Sequence, residues 1–465
     1  MNQPTILDEI VVSKRQQIEI QKESMPQSSL ESVARSDRDF AGALRSANPA
    51  FILECKKASP SRGLIREDFD LLSIASVYSK YATAISVLTE SEYFQGSLSN
   101  LGIVRSRASQ PLLAKDFFVE PYQVYQARHF GADAILLILA ILDDQQWTEM
   151  FQLARTLGMD VVTEVSNAEE QQRAIALKAP IVGINNRNLR DMSIDLETTR
   201  QLSSGLADDT IVISESGYHT HRQVRAMSDC ANGFLIGSSL MSEKRLATAV
   251  KRIMFGDCKV CGLTRNEDAI AADDAGAVYG GVIFAESSPR KIDCEDVETI
   301  FQNAALVRVG VFQDHSLDQI IDSASRCRLD VIQLHGDESV DFVQQLRSHN
   351  AFDLEIWKAL GVKHVGPQAD QWFGAGVDKL VVDHQIGGQK GGTGKAFDWD
   401  LLPVEQRDRI MVAGGIGPEN VKQAVQLGCC GIDMNSKLEE GPGSKCSVKI
   451  KDAFQRIRDY QISHG

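Results

Sequence analysis

The sequence predicts an α/β chain built as two consecutive (β/α)8 TIM barrels, the first with an extra N-terminal helical segment. Three observations lead there. Short apolar runs rich in Val and Ile recur along almost the whole chain, and each ends in polar residues and is followed by a stretch with helical spacing. Eight such units precede Phe255 and eight follow it. No GxGxxG turn follows the first run, as an open doubly wound sheet would more often carry. Alternating strands and helices give a parallel sheet with helices outside, and eight units close it into a barrel. At 465 residues the chain is too long for one ordinary core. We expect residues 1–255 to form one barrel and 256–465 the other. The junction KRIMFGDCKVCG has no Pro-rich or Ser-rich linker, so the two should be closely coupled.

In chain order, Ile6 to about Lys22 places Ile and Val at helical spacing among Lys, Arg and Glu, an amphipathic helix. Asp37 is the expected N-cap of a short second helix ahead of Phe51. The first eight strands are expected at Phe51 to Lys56, Ala84 to Glu90, Leu112 to Asp116, Ala134 to Leu139, Asp160 to Glu164, Ile181 to Asn186, Ile211 to Ser216 and Gly233 to Ser238. The second eight are expected at Cys258 to Cys261, Val278 to Phe284, Leu306 to Phe312, Val331 to Leu334, Glu355 to Leu360, Lys379 to Asp383, Arg409 to Gly415 and Gly431 to Asn435.

Composition narrows the function. Apolar content of 43% and charged content of 24% are ordinary globular values. A net charge of −14 and a pI near 5.2 argue against a nucleic-acid or anionic-membrane surface, but leave room for a local phosphate site. The start MNQPTILDEIVVSKRQQIEI lacks a basic segment followed by a long apolar run, so no signal peptide is expected. The longest apolar run, Ala134 to Leu142, is far short of the roughly 20 residues a membrane span needs. Nine irregularly spaced Cys point to reduced thiols in a cytoplasm. Cys258 and Cys261 form a CxxC with no second pair or His cluster at zinc spacing, so no metal is expected.

A barrel gathers its strand C-termini at one mouth. In the first half that gathers Glu54, Lys56, Lys115, Glu164, Asn185 and Glu215, and Lys among Glu in an apolar setting shift one another's pKa as acid and base roles require. The seventh and eighth strands end in Ser216-Gly217 and Gly237-Ser238, small residues whose backbone N–H groups suit a phosphate dianion. In the second half Cys261 ends the first strand, Arg290 follows the second, His335 the fourth and Asp383 the sixth. Gly414-Gly415 and Asn435-Ser436 repeat the phosphate-like pair. A thiol facing a carboxylate offers a base and an acid, Arg290 is free to grip a carboxylate bidentately, and His335 is an orienting group. The run GGQKGGTGK, Gly387 to Lys395, fails as a nucleotide loop. Gln389 replaces the first Gly and Ala396 stands where Ser or Thr would bind magnesium, so a mobile lid is expected.

The first half resembles indole-3-glycerol phosphate synthases in ECKKASPSRG, SVLTE with YFQGS, LLAKDF, VVTEV, GINNRNL, SESG and LIGSSLM. The second half resembles phosphoribosylanthranilate isomerases in KVCGLTR, SSPR, IQLHG, VVD with GGTGKAFDW, AGGIGPENV and GIDMNS followed by PG. The fused order is that of the bifunctional tryptophan-biosynthesis enzymes of enteric-type bacteria, and the resemblance covers nearly the whole chain. It implies an isomerase that performs an Amadori rearrangement and a carboxy-lyase that closes the indole ring with loss of CO2 and water. By resemblance Lys115 is the general acid and Glu164 the general base of the synthase, with Glu54 and Lys56 from its first motif. Asn185, Glu215 and Ser216 orient substrate, Gly217, Gly237 and Ser238 cradle its phosphate, and Ser59 and Arg187 are further substrate contacts. Cys261 is the base and Asp383 the acid of the isomerase, with Arg290 on the anthranilate carboxylate and His335, Gly414, Gly415 and Ser436 as further substrate contacts. Small phosphorylated anthranilates are the expected partners of a monomer that needs no cofactor and binds neither nucleic acid nor membrane. The alternative makes one barrel catalytic and the other a non-catalytic scaffold or metabolite-binding module.

Overall fold

Thr5 starts the first helix, α1 (Ile6–Ser24). Its hydroxyl accepts from the Asp8 amide while the Asp8 carboxylate accepts from the Thr5 amide, which satisfies two N-terminal donors reciprocally. Ile10, Lys14 and Ile18 recur one turn apart and are buried. The computed structural model describes residues 5–188, 192–349, 354–383, 385–386, 389–390, 402 and 405–458. The run Gly387 to Lys395, expected as a lid, lies outside the described residues except for the short strand Gln389–Lys390.

The second helix, α2 (Phe40–Ser46), is capped by Asp39, whose carboxylate accepts from the Gly42 amide at 2.7 Å. Asp37, the expected cap, turns its carboxylate to Arg38 instead. The apolar phase decides this, because the helix has to begin at Phe40 for Phe40 and Leu44 to reach the first barrel's core.

Strands β1 (Ala50–Cys55), β2 (Ala84–Leu88), β3 (Leu112–Lys115), β4 (Ala134–Ile138), β5 (Asp160–Val165), β6 (Ile181–Asn185), β7 (Ile211–Glu215) and β8 (Gly233–Ile236) form a closed barrel in chain order. The ring closes where Ala50 of β1 pairs in parallel with Gly233 of β8. A second closed barrel comprises β9 (Asp257–Val260), β10 (Tyr279–Ile283), β11 (Val307–Phe312), β12 (Val331–Leu334), β13 (Glu355–Gly361), β14 (Lys379–Asp383), β15 (Ile410–Val412) and β16 (Gly431–Met434). It closes where Asp257 of β9 pairs with Gly431 of β16. Gly431 has no alternative there, since a Cβ would lie 1.9 Å from the Asp257 carbonyl oxygen.

Most strand residues are buried, as they must be when helices cover the outside and side chains fill the inside. Ile52, Leu113, Leu136 and Val162 fill the first interior; Val309, Val331, Val381 and Trp357 fill the second. The chain's main division into two compact units falls between Ala249 and Val250, within the helix Leu246–Phe255. In each barrel the polar strand ends come together at one mouth.

Candidate active sites

At the first mouth β1, β3, β5, β6 and β7 present Glu54, Lys115, Glu164, Asn185 and Glu215. The Lys115 ammonium donates to Glu215 Oε2 at 2.5 Å and lies 3.7 Å from Glu164 Oε2. Lys56 pairs with Glu54 at 2.6 Å, and the Ser86 hydroxyl donates to the other Glu54 oxygen at 3.3 Å. The Asn185 amide donates to Glu164 Oε1 at 3.1 Å, and its carbonyl oxygen accepts from the Arg187 backbone at 3.0 Å. The carboxylates of Glu54, Glu164 and Glu215 are all buried.

Three buried carboxylates facing two ammonium groups cannot all hold their charge at equal cost. Burial and the neighbouring Glu215 carboxylate push Glu164 up to about 7, against the pull of Lys115 and the Asn185 hydrogen bond. Burial alone would lower Lys115, but the carboxylates of Glu215, Glu164 and Glu54 outweigh it and hold it above the ordinary lysine range. Burial works against the charge of Glu54 as well, yet Lys56 and Lys115 bring it below its ordinary value. The mouth thus holds a cation that stays protonated and, 3.7 Å away, a carboxyl that exchanges its proton near neutrality.

Glu54, Lys56, Lys115, Glu164 and Asn185 line one pocket together with Ser59, Arg187, Ser216 and Ser238. The hydroxyls of Ser59 and Ser239 are buried there without a partner among the described residues, a donor pair left to a ligand. Gly237 packs so close to Glu54 that a Cβ would lie 2.4 Å from its Oε1. Apolar walls come from Phe94 and Phe117, with ring centroids 6.1 Å apart, and from Ile6, Leu7 and Ile10 of α1. The sequence reading missed α1 as a wall of the site. Its anchor is Lys14, which pairs with Asp116 at 2.7 Å and reaches Glu90 at 4.0 Å. The Glu90 carboxylate also accepts from the amides of Glu92, Tyr93 and Phe94, which sets the Phe94 loop. One signal could have found this: Lys14 sits between Ile10 and Ile18 on the apolar face of the helix, where a lysine needs a buried partner.

After its seventh strand each barrel has two consecutive residues in the left-handed region, Ser216 (φ 68°) and Gly217 (φ 94°) in one, Gly414 (φ 90°) and Gly415 (φ 64°) in the other. After its eighth, each begins a short helical turn behind a residue of unusual conformation, Gly237 (φ −131°, ψ −71°) and Asn435 (φ −139°, ψ −94°). Ser238 and Ser436 are the first residues of those turns. Successive N–H groups turned this way form an anion-binding concavity.

At the second mouth Cys261 follows β9, and its amide continues the ladder to the Met434 carbonyl at 2.9 Å. It belongs to a buried cluster with Ile283, Ala285 and Val311. Asp383 ends β14, and His335 follows β12 with Nδ1 3.3 Å from the Gln333 amide nitrogen. Arg290 is not free as expected. Its Nε and Nη2 grip the Glu439 carboxylate at 2.8 and 2.7 Å, and Lys445 reaches the same carboxylate at 2.7 Å. A buried carboxylate beside a buried lysine draws the guanidinium in, and although Glu439 sits between GIDMNS and PG, nothing in that motif marks it as the partner of Arg290. Beneath Cys261, Lys259 donates to Gln333 Oε1 at 2.6 Å and to Asp433 Oδ2 at 2.9 Å, a buried trio the sequence reading also missed.

Residues 7–253 match the family described as indole-3-glycerol phosphate synthase, and residues 258–456 match that described as N-(5'phosphoribosyl)anthranilate (PRA) isomerase. The chain is similar to the tryptophan biosynthesis protein TrpCF of Vibrio cholerae, with 50% identity over 98% of this chain and 96% of that protein. It is 48% identical to TrpCF of Salmonella typhi, over 98% of this chain and 100% of that protein. Among solved structures, the phosphoribosyl anthranilate isomerase of Thermus thermophilus is 31% identical, covers 43% of this chain and 97% of its own, and has a TM-score of 0.38.

Proposed function

The chain belongs to the indole-3-glycerol phosphate synthase and phosphoribosylanthranilate isomerase families, joined in one polypeptide, and on that premise we propose which residues carry each reaction. It is a bifunctional enzyme of tryptophan biosynthesis, the N-terminal part a decarboxylating lyase and the C-terminal part an isomerase. Both substrates are phosphorylated anthranilate derivatives, and we assign a phosphate site to the end of the seventh and eighth strands of each barrel.

In the isomerase Asp383 gives a proton to the ring oxygen as the furanose opens, and Cys261 removes the C2′ proton so that the enolamine can become the ketone. Arg290 contacts the anthranilate carboxylate through Nη1, the nitrogen outside its grip on Glu439. Gly414, Gly415 and Ser436 hold the phosphate, and His335 orients the substrate.

In the synthase Lys115 reaches the substrate carbonyl fully charged and protonates its oxygen as the new bond forms. Glu164 takes the proton lost in the dehydration. Glu54 and Glu215 supply negative potential for the cationic intermediate, which fixed charges in a dry pocket stabilise far more than water does. Lys56, Ser59 and Arg187 bind the substrate, Asn185 and Ser216 orient it, and Gly217, Gly237 and Ser238 receive its phosphate. The observation that carries this assignment is Lys115 set between Glu215 at 2.5 Å and Glu164 at 3.7 Å in one buried mouth. A scaffold barrel would have no use for that arrangement. We place the boundary between the activities at residues 255 and 256, where the helix Leu246–Phe255 ends, and the enzyme in the cytoplasm as a monomer. None of the described helices is long and apolar enough to cross a membrane.

Separate assays of the two half-reactions test the assignment. Lys115→Ala lowers synthase turnover by roughly 10²- to 10⁴-fold and leaves the isomerase unchanged, and Cys261→Ala does the reverse. A crossed loss, or none, rejects it.

A further inference from the structure

We propose that Lys259 is a positioning residue of the isomerase, an ammonium fixed inside the barrel beneath Cys261 that eases the loss of the thiol proton and so favours the proton-accepting form of the sulfur. The proposal rests on Cys261 being the base.

Lys259 is fully buried, at 0% exposure, in the strand that Cys261 continues two residues later, so both side chains leave the same face of the chain. A lysine ammonium has three donors. One goes to Gln333 Oε1 at 2.6 Å and one to Asp433 Oδ2 at 2.9 Å, and the charge acts on the neighbouring Cys261 thiol. These two contacts, to β12 and β16, fix the place of the ammonium inside the barrel. The neighbouring strand makes room for the pair: a Cβ on Gly281 would lie 2.7 Å from Lys259 Cε and 2.9 Å from Cys261 Sγ. A glycine in the middle of VYGGVIF weakens a strand, and here it lets lysine and thiol lie against the same backbone.

The charges around the sulfur come from several elements. Lys259 belongs to its own strand, and Asp433 to β16. Arg290 from the loop after β10, Lys445 and Glu439 also stand close, and Asp383 ends β14 at the same mouth. Burial pushes the Cys261 thiol up, and among the opposing influences Lys259 is the strongest. Without it the buried thiol would give up its proton still less readily, and less thiolate would be there to take the C2′ proton. In the step itself the C–H electron pair stays with the substrate as the enolamine, the proton passes to sulfur, and Lys259 keeps its own proton.

The test uses the full chain and reads the thiol rather than turnover. Lys259→Met keeps the length and removes the charge. Lys259→Met/Asp433→Asn also removes the counter-charge and so avoids stranding a buried carboxylate. Alkylation of Cys261 by iodoacetamide is followed against pH by site-resolved mass spectrometry, with synthase turnover as the measure of intact protein. The expected result is an alkylation midpoint raised by about one pH unit or more in Lys259→Met, and raised by less in the double variant because Asp433 itself disfavours the thiolate. At pH below that midpoint the isomerase kcat then falls roughly tenfold or more with little change in KM. An unchanged midpoint, or a loss confined to KM, overturns the proposal. If Cys261→Ala kept its isomerase activity, Cys261 would not be the base, while the alkylation midpoint would still report whether Lys259 holds the thiolate, so the two failures are distinct.

Discussion

The two barrels carry matching backbone at the ends of their seventh and eighth strands, yet they place a buried lysine at different depths. Lys115 is the last residue of its strand, lines the pocket and pairs with Glu164, which lines it too. Lys259 sits two residues before the reacting group and donates to Gln333 and Asp433 inside the barrel. One lysine can meet a substrate and the other cannot. Depth along a strand therefore separates a cation that exchanges protons with the ligand from one that tunes a neighbour. The mouth of the second barrel keeps its half-buried cation, Arg290, as a binding group tethered to Glu439.

Glu164→Gln tests the reactive cluster most severely. Synthase kcat should fall by roughly 10²-fold or more, with the isomerase unaffected. The wild-type enzyme should show synthase kcat rising with pH through about 7, because the base works only when deprotonated and burial has pushed Glu164 up to about 7. That limb should vanish from the variant's pH–rate profile, and a limb that persists would move the base elsewhere. Next in size is Lys14→Met, which asks whether a lysine in the first barrel can also act purely as support. It strands the carboxylates of Asp116 and Glu90, and loss of one partner of a buried pair typically costs about 3–5 kcal/mol. Hydrogen exchange over residues 6–24 should accelerate and synthase KM should rise, with kcat falling far less than in Glu164→Gln; equal loss of kcat would make Lys14 part of the chemistry. The smallest effect is expected for Arg290→Lys. A point charge cannot hold the planar two-nitrogen grip on Glu439 and meet a carboxylate as well, so isomerase kcat/KM should drop about tenfold, mainly through KM. A large fall in kcat would place Arg290 in the proton transfers.

What could be read from the sequence follows from periodicity. Both barrels were legible because a strand buried on both faces leaves a continuous Val and Ile signature and its polar end marks the mouth. Contacts that join distant elements were not. Nothing near Arg290 announces Glu439, and nothing near Lys259 announces Gln333 or Asp433, because these partners meet only when the ring closes. Periodicity places Lys14 on an apolar face, yet only the fold reveals Asp116 beneath it. The cap fell at Asp39 rather than Asp37 for a related reason: both residues can cap a helix, and the choice is made by where Phe40 finds its core.

Each barrel closes by pairing its first strand with its last, Ala50 with Gly233 and Asp257 with Gly431. Such a seam can form only after nearly the whole domain exists as a chain, and contacts between residues so far apart in sequence slow folding. During synthesis the first ring has all its strands once Ile236 has left the ribosome, while the second has not begun. Until Gly233 arrives, the edge of β1 stays open, with Glu54 and Lys56 at its end. In each half the last strand made completes the wall of the mouth, so catalytic competence and topological closure arrive in the same event, first for the lyase and later for the isomerase.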